Sequence, residues 1–267
     1  MSKAITLFHL SDVHFGLEDR AAIEWVREEI AARCPDLVAI TGDITMRARR
    51  HEFAAATRWI QSLDAPVTLG PGNHDLPGYH LPSRYLRPLG RFDAFRLRVE
   101  RPADLPGLAL VELNTNVPAQ PRLNWSKGWI TNRALVTCLA QIDALPAGTR
   151  VLVTAHHPLR EAGTHGTALT HGGANALAQL ARRGVLAVLS GHVHDAFDIM
   201  EDTPHGPVRM IGAGTLSRRL RTTPTSFNEL RWDGERLEVQ VRNQAGVPTS
   251  QMLVDEVPED AEPPEVA

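Results

Sequence analysis

ITLFHLSDVH, residues 5–14, begins with a short apolar run and ends with an aspartate and a histidine two positions apart. A run of this length, rich in β-branched and aromatic residues, is typical of a buried strand. Asp12 and His14 therefore follow the carboxyl end of a predicted strand. Further apolar runs of this kind occupy residues 37–41, 67–69, 108–113, 151–155 and 185–189.

The segments between these runs carry apolar residues at helical spacing. Ile23, Val26 and Ile30 form one stripe, residues 53–63 contain a second, and residues 177–181 contain a third that precedes Gly184. Short buried strands that alternate with amphipathic helices predict a layered α/β fold with helices on the faces of the sheet.

The C-terminal part of the chain has a different character. Residues 197–200, 208–211, 228–232 and 237–241 have the composition of short strands, and Asp233 with Gly234 is a hairpin signal between the last two. We expect these strands to form a second, mostly antiparallel sheet. Residues 256–267 are rich in proline and glutamate, which predicts a disordered acidic tail after a single domain of residues 1–255.

Seven side chains with metal-binding oxygen or nitrogen atoms follow the predicted strands. They are Asp12, His14, Asp43, Asn73, His156, His192 and His194. Because ligands of open α/β sheets bind beyond the carboxyl ends of the strands, we expect these residues to meet at one edge. Two carboxylates and four imidazoles are more than one tetrahedral ion with an open position needs. They suit two adjacent ions that share one carboxylate.

A pair of divalent ions indicates phosphoester chemistry, because such a pair can activate water and hold a phosphate for in-line displacement. The ions bring four positive charges, of which Asp12 and Asp43 remove two, and a bridging hydroxide with a phosphodiester anion balances the rest. Hydroxide is available at neutral pH, since a metal-bound water can have a pKa of about 7. His74 lies between Asn73 and Asp75, and a histidine held by a carboxylate is suited to protonate a leaving alkoxide.

Five short blocks occur in order along the chain. They are Asp-x-His at 12–14, Gly-Asp at 42–43, Gly-Asn-His-Asp at 72–75, a histidine at 156 and Gly-His-x-His at 191–194. Over roughly residues 5–215, this arrangement resembles the calcineurin-like metallophosphoesterase superfamily. The resemblance implies a four-layer αββα fold, in which helices flank a β-sandwich and a binuclear metal site lies at the C-terminal edge of the strands.

The same resemblance implies a role for each residue. One ion would be held by Asp12, His14, Asp43 and His194, and the other by Asp43, Asn73, His156 and His192, with Asp43 shared. His74 would act as an acid or transition-state stabiliser oriented by Asp75. His156 is preferred to His157 because it lies two positions before Pro158, as in the family, although a shift of one residue would exchange the two.

The wording of the blocks indicates a subfamily. Ser-Asp-x-His-Phe-Gly, Thr-Gly-Asp-Ile-Thr and Gly-Asn-His-Asp are similar to bacterial class III cyclic-nucleotide phosphodiesterases and to glycerophosphodiesterases. Ser/Thr protein phosphatases instead carry Gly-Asp-x-Val-Asp-Arg-Gly and Gly-Asn-His-Glu, whereas this chain has Ile44 and Asp75. We therefore expect hydrolysis of a small-molecule phosphodiester. A phosphomonoesterase or nuclease on the same centre, or a non-catalytic metal-binding scaffold, is the alternative.

Composition limits the remaining classes of function. A chain of 267 residues, 43% of them apolar, can bury a substantial core. The net charge of −3 gives no basic footprint for nucleic acid, and no apolar run approaches the roughly 20 residues that span a membrane. Cys34 and Cys138 indicate no disulfide framework, so a cytoplasmic protein is expected. The donors accommodate Mn, Fe, Zn or Co, and a homo-oligomer is left open.

Two further segments have weaker signals. Residues 159–173 contain His165, His171 and several glycines, and they form either a mobile rim of the substrate pocket or an ordinary loop. Arg218, Arg219 and Arg221 form a basic cluster for which a solvated surface is expected, rather than contact with a substrate phosphate.

Overall fold

Ten strands form two five-stranded sheets in the computed structural model, which describes residues 4–78 and 80–244. The strands are β1 (Ile5–Leu10), β2 (Leu37–Thr41), β3 (Val67–Gly70), β4 (Leu108–Glu112), β5 (Arg150–Thr154), β6 (Ala187–Ser190), β7 (Phe197–Glu201), β8 (Val208–Gly212), β9 (Ser226–Trp232) and β10 (Leu237–Asn243). The helices are α1 (Arg20–Arg33), α2 (Arg50–Gln61), α3 (Leu81–Leu86), α4 (Gly90–Val99), α5 (Asn132–Asp143) and α6 (Gly173–Ala181).

Both sheets are mixed, with parallel strands at their centres. The first has the order β10-β9-β1-β2-β3, in which β1, β2 and β3 are parallel and β9 is antiparallel to both of its neighbours. The second has the order β4-β5-β6-β8-β7, in which only β7 is antiparallel. Parallel neighbours end at the same edge of a sheet, so the loops that follow β1, β2 and β3 meet there.

The alternation of side chains along β1 explains the layers. Ile5 and Leu7 point between the two sheets and pack with residues of the second sheet such as Leu152. Phe8 and Leu10 point to the opposite face, where they join the core formed with α1, α2 and α4. On the far side of the molecule, apolar residues of α5 and α6 cover the second sheet. The order of layers is helix, sheet, sheet, helix, which confirms the predicted sandwich flanked by helices.

The C-terminal strands correct one prediction, because they form no separate antiparallel sheet. β7 and β8 complete the second sheet, whereas β9 extends the first by pairing with β1, and β10 pairs with β9 at its edge. Composition identifies a segment as a strand, but the choice of partner depends on tertiary packing. Helices α3 and α4 were not anticipated.

Several predictions concern the ends and the surroundings of the chain. The domain end at residue 255 and the tail 256–267 lie outside the described residues, so both stay predictions. Cys34 is exposed and Cys138 is buried, and both are free thiols. Within residues 4–78 and 80–244, no helix combines the length and the apolar character needed to cross a membrane.

Candidate metal centre

The seven predicted ligands lie beyond the ends of strands, where Asn73 begins a short 3-10 turn (Asn73–Asp75) and the other six lie on loops. Five of them have a left-handed backbone. The φ angles are 54° for Asp12, 49° for His14, 52° for Asp43, 69° for His192 and 63° for His194. Such values are uncommon for residues other than glycine and cluster at functional sites. Hydrogen bonds between loops maintain the conformation, since Asp12 N donates to Gly42 O at 3.1 Å and His14 N donates to Asp43 O at 2.9 Å.

Asp12, His14 and His194 form the first group of donors. The Nε2 atoms of the two histidines are 3.2 Å apart, and Asp12 Oδ1 lies 3.6 Å from His14 Nε2 and 3.3 Å from His194 Nε2. Two neighbouring ligands of one ion at about 2.0–2.2 Å lie about 2.8–3.6 Å apart in octahedral or tetrahedral geometry. Asp12 Oδ1 is buried without a hydrogen-bond partner among the described residues. This group therefore fits a cation.

Asp43, Asn73 and His156 form the second group, next to the first. His156 Nε2 lies 3.3 Å from Asp43 Oδ2 and 3.1 Å from Asn73 Oδ1. Asp43 Oδ2 is also 3.8 Å from His14 Nε2, so this oxygen faces both groups. The ring of His192 is adjacent, with its centroid 5.3 Å from that of His156. All seven predicted ligands are thus brought to one edge of the sandwich.

Hydrogen bonds on the far side of two rings orient them. His156 Nδ1 donates to Thr41 O at 2.9 Å, and His194 Nδ1 donates to Arg219 O at 2.5 Å. A proton held at Nδ1 leaves the lone pair on Nε2, which is the atom that each ring presents to its donor group. Both imidazoles are therefore held in the tautomer that binds a metal.

The charges of the buried groups suit cations. Burial by itself raises the pKa of Asp12, but His194 and His14 hold it well below its usual range. Burial likewise raises the pKa of Asp43, which His156 and His74 keep low. Burial lowers the pKa of His14 to about 3, so its ring is neutral. Against burial, Asp43 raises the pKa of His156 to about 9, and a metal ion at this position would displace that proton.

The structure separates the roles of His156 and His157. His157 lies close enough to His156 and His192 to be counted among the donors. However, Thr115 Oγ1 donates to its Nδ1 at 2.8 Å, and its Nε2 donates to Ser126 O at 2.7 Å. Both ring nitrogens of His157 are therefore occupied by the protein, which supports His156 as the ligand.

Comparison with known proteins agrees with this geometry. Residues 5–196 match the family of calcineurin-like phosphoesterases. The chain belongs to this family. The predicted family of metallophosphoesterases is confirmed.

Relatives of this phosphoesterase include a curated protein from Arcobacter nitrofigilis, named "Probable glycerophosphodiester phosphodiesterase GpdQ". The two are 28% identical over 170 residues, which cover 60% of this chain and 57% of that protein. A dimetal phosphatase from Danio rerio has a TM-score of 0.66 at 16% identity, over 90% of this chain and 96% of that one. A purple acid phosphatase from yellow lupin has a TM-score of 0.64 at 14% identity, over 91% and 52%. These two structures support the sandwich fold.

His74 lies at the centre of this phosphoesterase, but Asp75 does not orient its ring. His74 Nδ1 donates to Met46 O at 2.7 Å. Both oxygens of Asp75 instead accept hydrogen bonds from the loops: Oδ1 from Thr45 N and Thr45 Oγ1, both at 2.9 Å, and Oδ2 from Gly72 N at 2.9 Å and Ile44 N at 3.2 Å. The expectation that Asp75 holds His74 is therefore wrong. Asp75 ties the second and third ligand loops together.

Sequence reasoning missed the groups that support the ligands. Carbonyls such as Thr41 O and Met46 O leave no signal in a sequence, because every residue has one. Arg219 was expected to be solvated, yet its Nη1 lies 3.1 Å from His74 Nε2. Residues 159–173 pack against the loop that contains Lys127, whose Nζ donates to Thr167 O at 2.8 Å.

Proposed function

We propose that this phosphoesterase hydrolyses a phosphodiester bond in a small molecule, with water as the nucleophile and two metal ions as cofactors. The position of Asp43 carries the proposal. Its Oδ2 atom lies 3.3 Å from Nε2 of His156 and 3.8 Å from Nε2 of His14, so one carboxylate faces two groups of donors. A shared carboxylate is what two adjacent ions need.

We assign one ion to the first group and the other to the second, with Asp43 in both. The ligands of the first are Asp12, His14, Asp43 and His194, and those of the second are Asp43, Asn73, His156 and His192. Oxygen and nitrogen donors without a thiolate accept Mn, Fe, Zn or Co. The metal content of the purified protein identifies the ions.

When bound, such a pair of ions activates water and holds phosphoryl oxygens for in-line displacement. The chain's own residues fix the direction of the donors. Thr41 O and Arg219 O keep the Nε2 atoms of His156 and His194 directed at the centre. The four hydrogen bonds that Asp75 accepts hold together the loops that contain Asp43 and Asn73. In addition, His74 N donates to Asp43 Oδ1 at 2.8 Å.

Two observations support a diester over other phosphoesters. The block wording is similar to that of cyclic-nucleotide phosphodiesterases and glycerophosphodiesterases, and the relative from Arcobacter nitrofigilis bears the name of a glycerophosphodiesterase. This chain spans 57% of that relative's length. The inference of the substrate class therefore rests on the 170 residues over which the two chains match.

The test compares substrates on metal-loaded protein. Turnover of bis-p-nitrophenyl phosphate, cyclic AMP and a glycerophosphodiester is measured beside p-nitrophenyl phosphate and single-stranded DNA. We expect a higher kcat/KM for diesters of small molecules than for the monoester or for DNA. A preference for p-nitrophenyl phosphate would replace the diesterase with a phosphomonoesterase, and full activity after both ions are stripped would overturn the metal mechanism.

Asp43→Asn tests the shared ligand. We expect the metal content to fall below two ions per chain and kcat/KM to fall by more than about 100-fold, beyond the effect typical of residues that only support a ligand. Asp19→Asn is the matched control. Ala21 N and Ala22 N, at the start of α1, both donate to the same oxygen of Asp19, Oδ1. Asparagine keeps that oxygen and is an equally good N-cap. Equal metal content in the two variants would contradict the assignment.

A further inference from the structure

Arg219 lies in the loop between β8 and β9, which is fixed to the metal centre at two points. Thr215 Oγ1 donates to Asp12 O at 2.7 Å, and Leu216 N donates to the same oxygen at 3.3 Å. Farther along the loop, Thr222 Oγ1 donates to Asp195 Oδ1 at 2.8 Å. The segment that contains Arg219 is therefore held between the first strand loop and the residue that follows His194.

The main chain and the side chain of Arg219 contact different parts of the centre. Its carbonyl accepts the hydrogen bond from His194 Nδ1. Its guanidinium donates from Nη1 to His74 Nε2, at 3.1 Å. The direction of this bond follows from chemistry: His74 Nδ1 donates to Met46 O, so Nε2 bears the lone pair, and a guanidinium has donors only.

His74 connects this guanidinium to the donors of the centre. The rings of His74 and His14 are in edge contact, with centroids 4.8 Å apart. Single ligand atoms of His14, Asp43 and His74 also lie within 4.8 Å of one another. A permanent positive charge is therefore held one imidazole ring away from both proposed ion sites.

We propose that Arg219 is a further catalytic residue, whose guanidinium donates to a non-bridging oxygen of the substrate's phosphoryl group, with His74 as its positioning residue. The inference rests on the proposed function. A guanidinium is always charged, and its planar fork matches two phosphoryl oxygens. Donors aimed at a phosphoryl group stabilise the charge that develops there during displacement.

The arrangement changes the expected role of His74. Its Nε2 accepts a hydrogen bond from Arg219 and its Nδ1 proton is used by Met46 O. His74 therefore holds the arginine at the centre instead of protonating the leaving group. A phosphomonoester carries one more negative charge than a phosphodiester. The interaction of Arg219 with the phosphoryl group is therefore stronger for the monoester.

The test uses two variants of Arg219 and a matched control on the neighbouring residue. Arg219→Ala removes the guanidinium but keeps the carbonyl that orients His194, and Arg219→Lys keeps a charge without the fork. Arg218→Ala is the control, because that side chain is exposed in the same loop. Each metal-loaded protein is assayed for metal content, for the Kd of inorganic phosphate by calorimetry, and for kcat/KM with bis-p-nitrophenyl phosphate and p-nitrophenyl phosphate.

We expect Arg219→Ala to keep the metal content of Arg218→Ala, to bind phosphate at least about 10-fold more weakly, and to lose about 100- to 1,000-fold in kcat/KM, as for loss of one donor to a developing oxyanion. The lysine variant should recover part of the loss, and added guanidinium chloride should partly rescue the alanine variant. The fold loss should be larger for the monoester than for the diester.

Three results would overturn the inference. They are phosphate binding and kcat/KM within threefold of Arg218→Ala, loss of metal from both Arg219 variants, or equal losses in the alanine and lysine variants without guanidinium rescue. The proposed function is judged separately on the wild-type protein. If the wild type turns over neither substrate but its phosphate affinity depends on Arg219, the proposed function and the catalytic role of Arg219 both fail, and only the contact between its guanidinium and a phosphoryl oxygen stands.

Discussion

Replacing Gly191 with alanine tests whether close backbone contact between two ligand loops is what holds the metal centre together. Gly191 joins β6 to His192, and its backbone conformation is one that alanine can adopt. A Cβ atom at this position would overlap Ser11 Oγ and Asp12 Oδ2 and would lie 2.5 Å from Ser11 Cβ. The Ser11 hydroxyl can rotate away, but its Cβ is fixed to the main chain.

The size of the effect follows from that distance. Non-bonded carbon atoms are ordinarily about 3.5–4.0 Å apart, so the ends of β1 and β6 must separate by about 1 Å. Overpacking of this kind costs about 1–3 kcal/mol in the free energy of unfolding. In a chain of this size, the Tm should then fall by roughly 2–12 °C. Asp12 Oδ2 also accepts from His192 N at 2.8 Å, so the same separation moves one proposed ligand of each ion.

The assay has two parts, which separate packing from metal binding. Thermal unfolding of the chelated protein measures the packing cost, and metal content after reloading measures the loss of ligands. Gly70→Ala is the matched control: Gly70 ends β3 at the same edge, and the nearest atom to its added Cβ is Ile40 O at 3.9 Å. Equal Tm and equal metal content in the two variants would refute the reasoning.

Three further predictions concern metal, histidines and thiols. Chelation should lower the Tm, because an ion that binds only the folded chain adds about 2.7 kcal/mol at about 100 times its Kd; an unchanged Tm would argue against bound metal. His156→Ala should lose metal, whereas His157→Ala should keep it but melt earlier, and the reverse pattern would exchange the two residues. In the native protein, Cys34 should react with a thiol reagent and Cys138 should not, because burial raises the pKa of Cys138 to about 12; two reactive thiols before unfolding would contradict its place in the core.

The location of the site could be predicted from the sequence because the sheet topology determines which strand ends lie together. Each ligand block begins within three residues of the end of an apolar run, and parallel strands bring the ends of such runs together. The prediction needed no knowledge of side-chain geometry. For this reason it could place Asp75 near His74 but could not tell which of its neighbours the carboxylate contacts.

Helix α4 was missed although its signal is present in the chain. Phe92, Phe95 and Val99 are spaced as on one face of a helix and are buried beside α2. Arg219 is a different case, because a charged residue in a loop has no period that marks its partner. Its contact with His74 joins two loops that are more than 140 positions apart. The loop that contains Arg219 is held in place by hydrogen bonds to Asp12 and Asp195.

Five proposed ligands have a left-handed backbone, which is a second reason why aspartate and histidine occupy these positions. With extended backbone, the main chain would continue in the direction of the strand. A left-handed residue turns the main chain, so that the donor side chain faces the edge of the sheet. Each such residue costs about 1 kcal/mol or more. Aspartate and histidine, however, are several-fold enriched in this region among residues other than glycine. Glutamate at position 12 would keep the charge, but it would lack that tolerance and displace the oxygen that lies 3.3 Å from His194. Aspartate and histidine therefore provide both a side chain that binds a cation and a tolerance of the left-handed backbone that the turn requires.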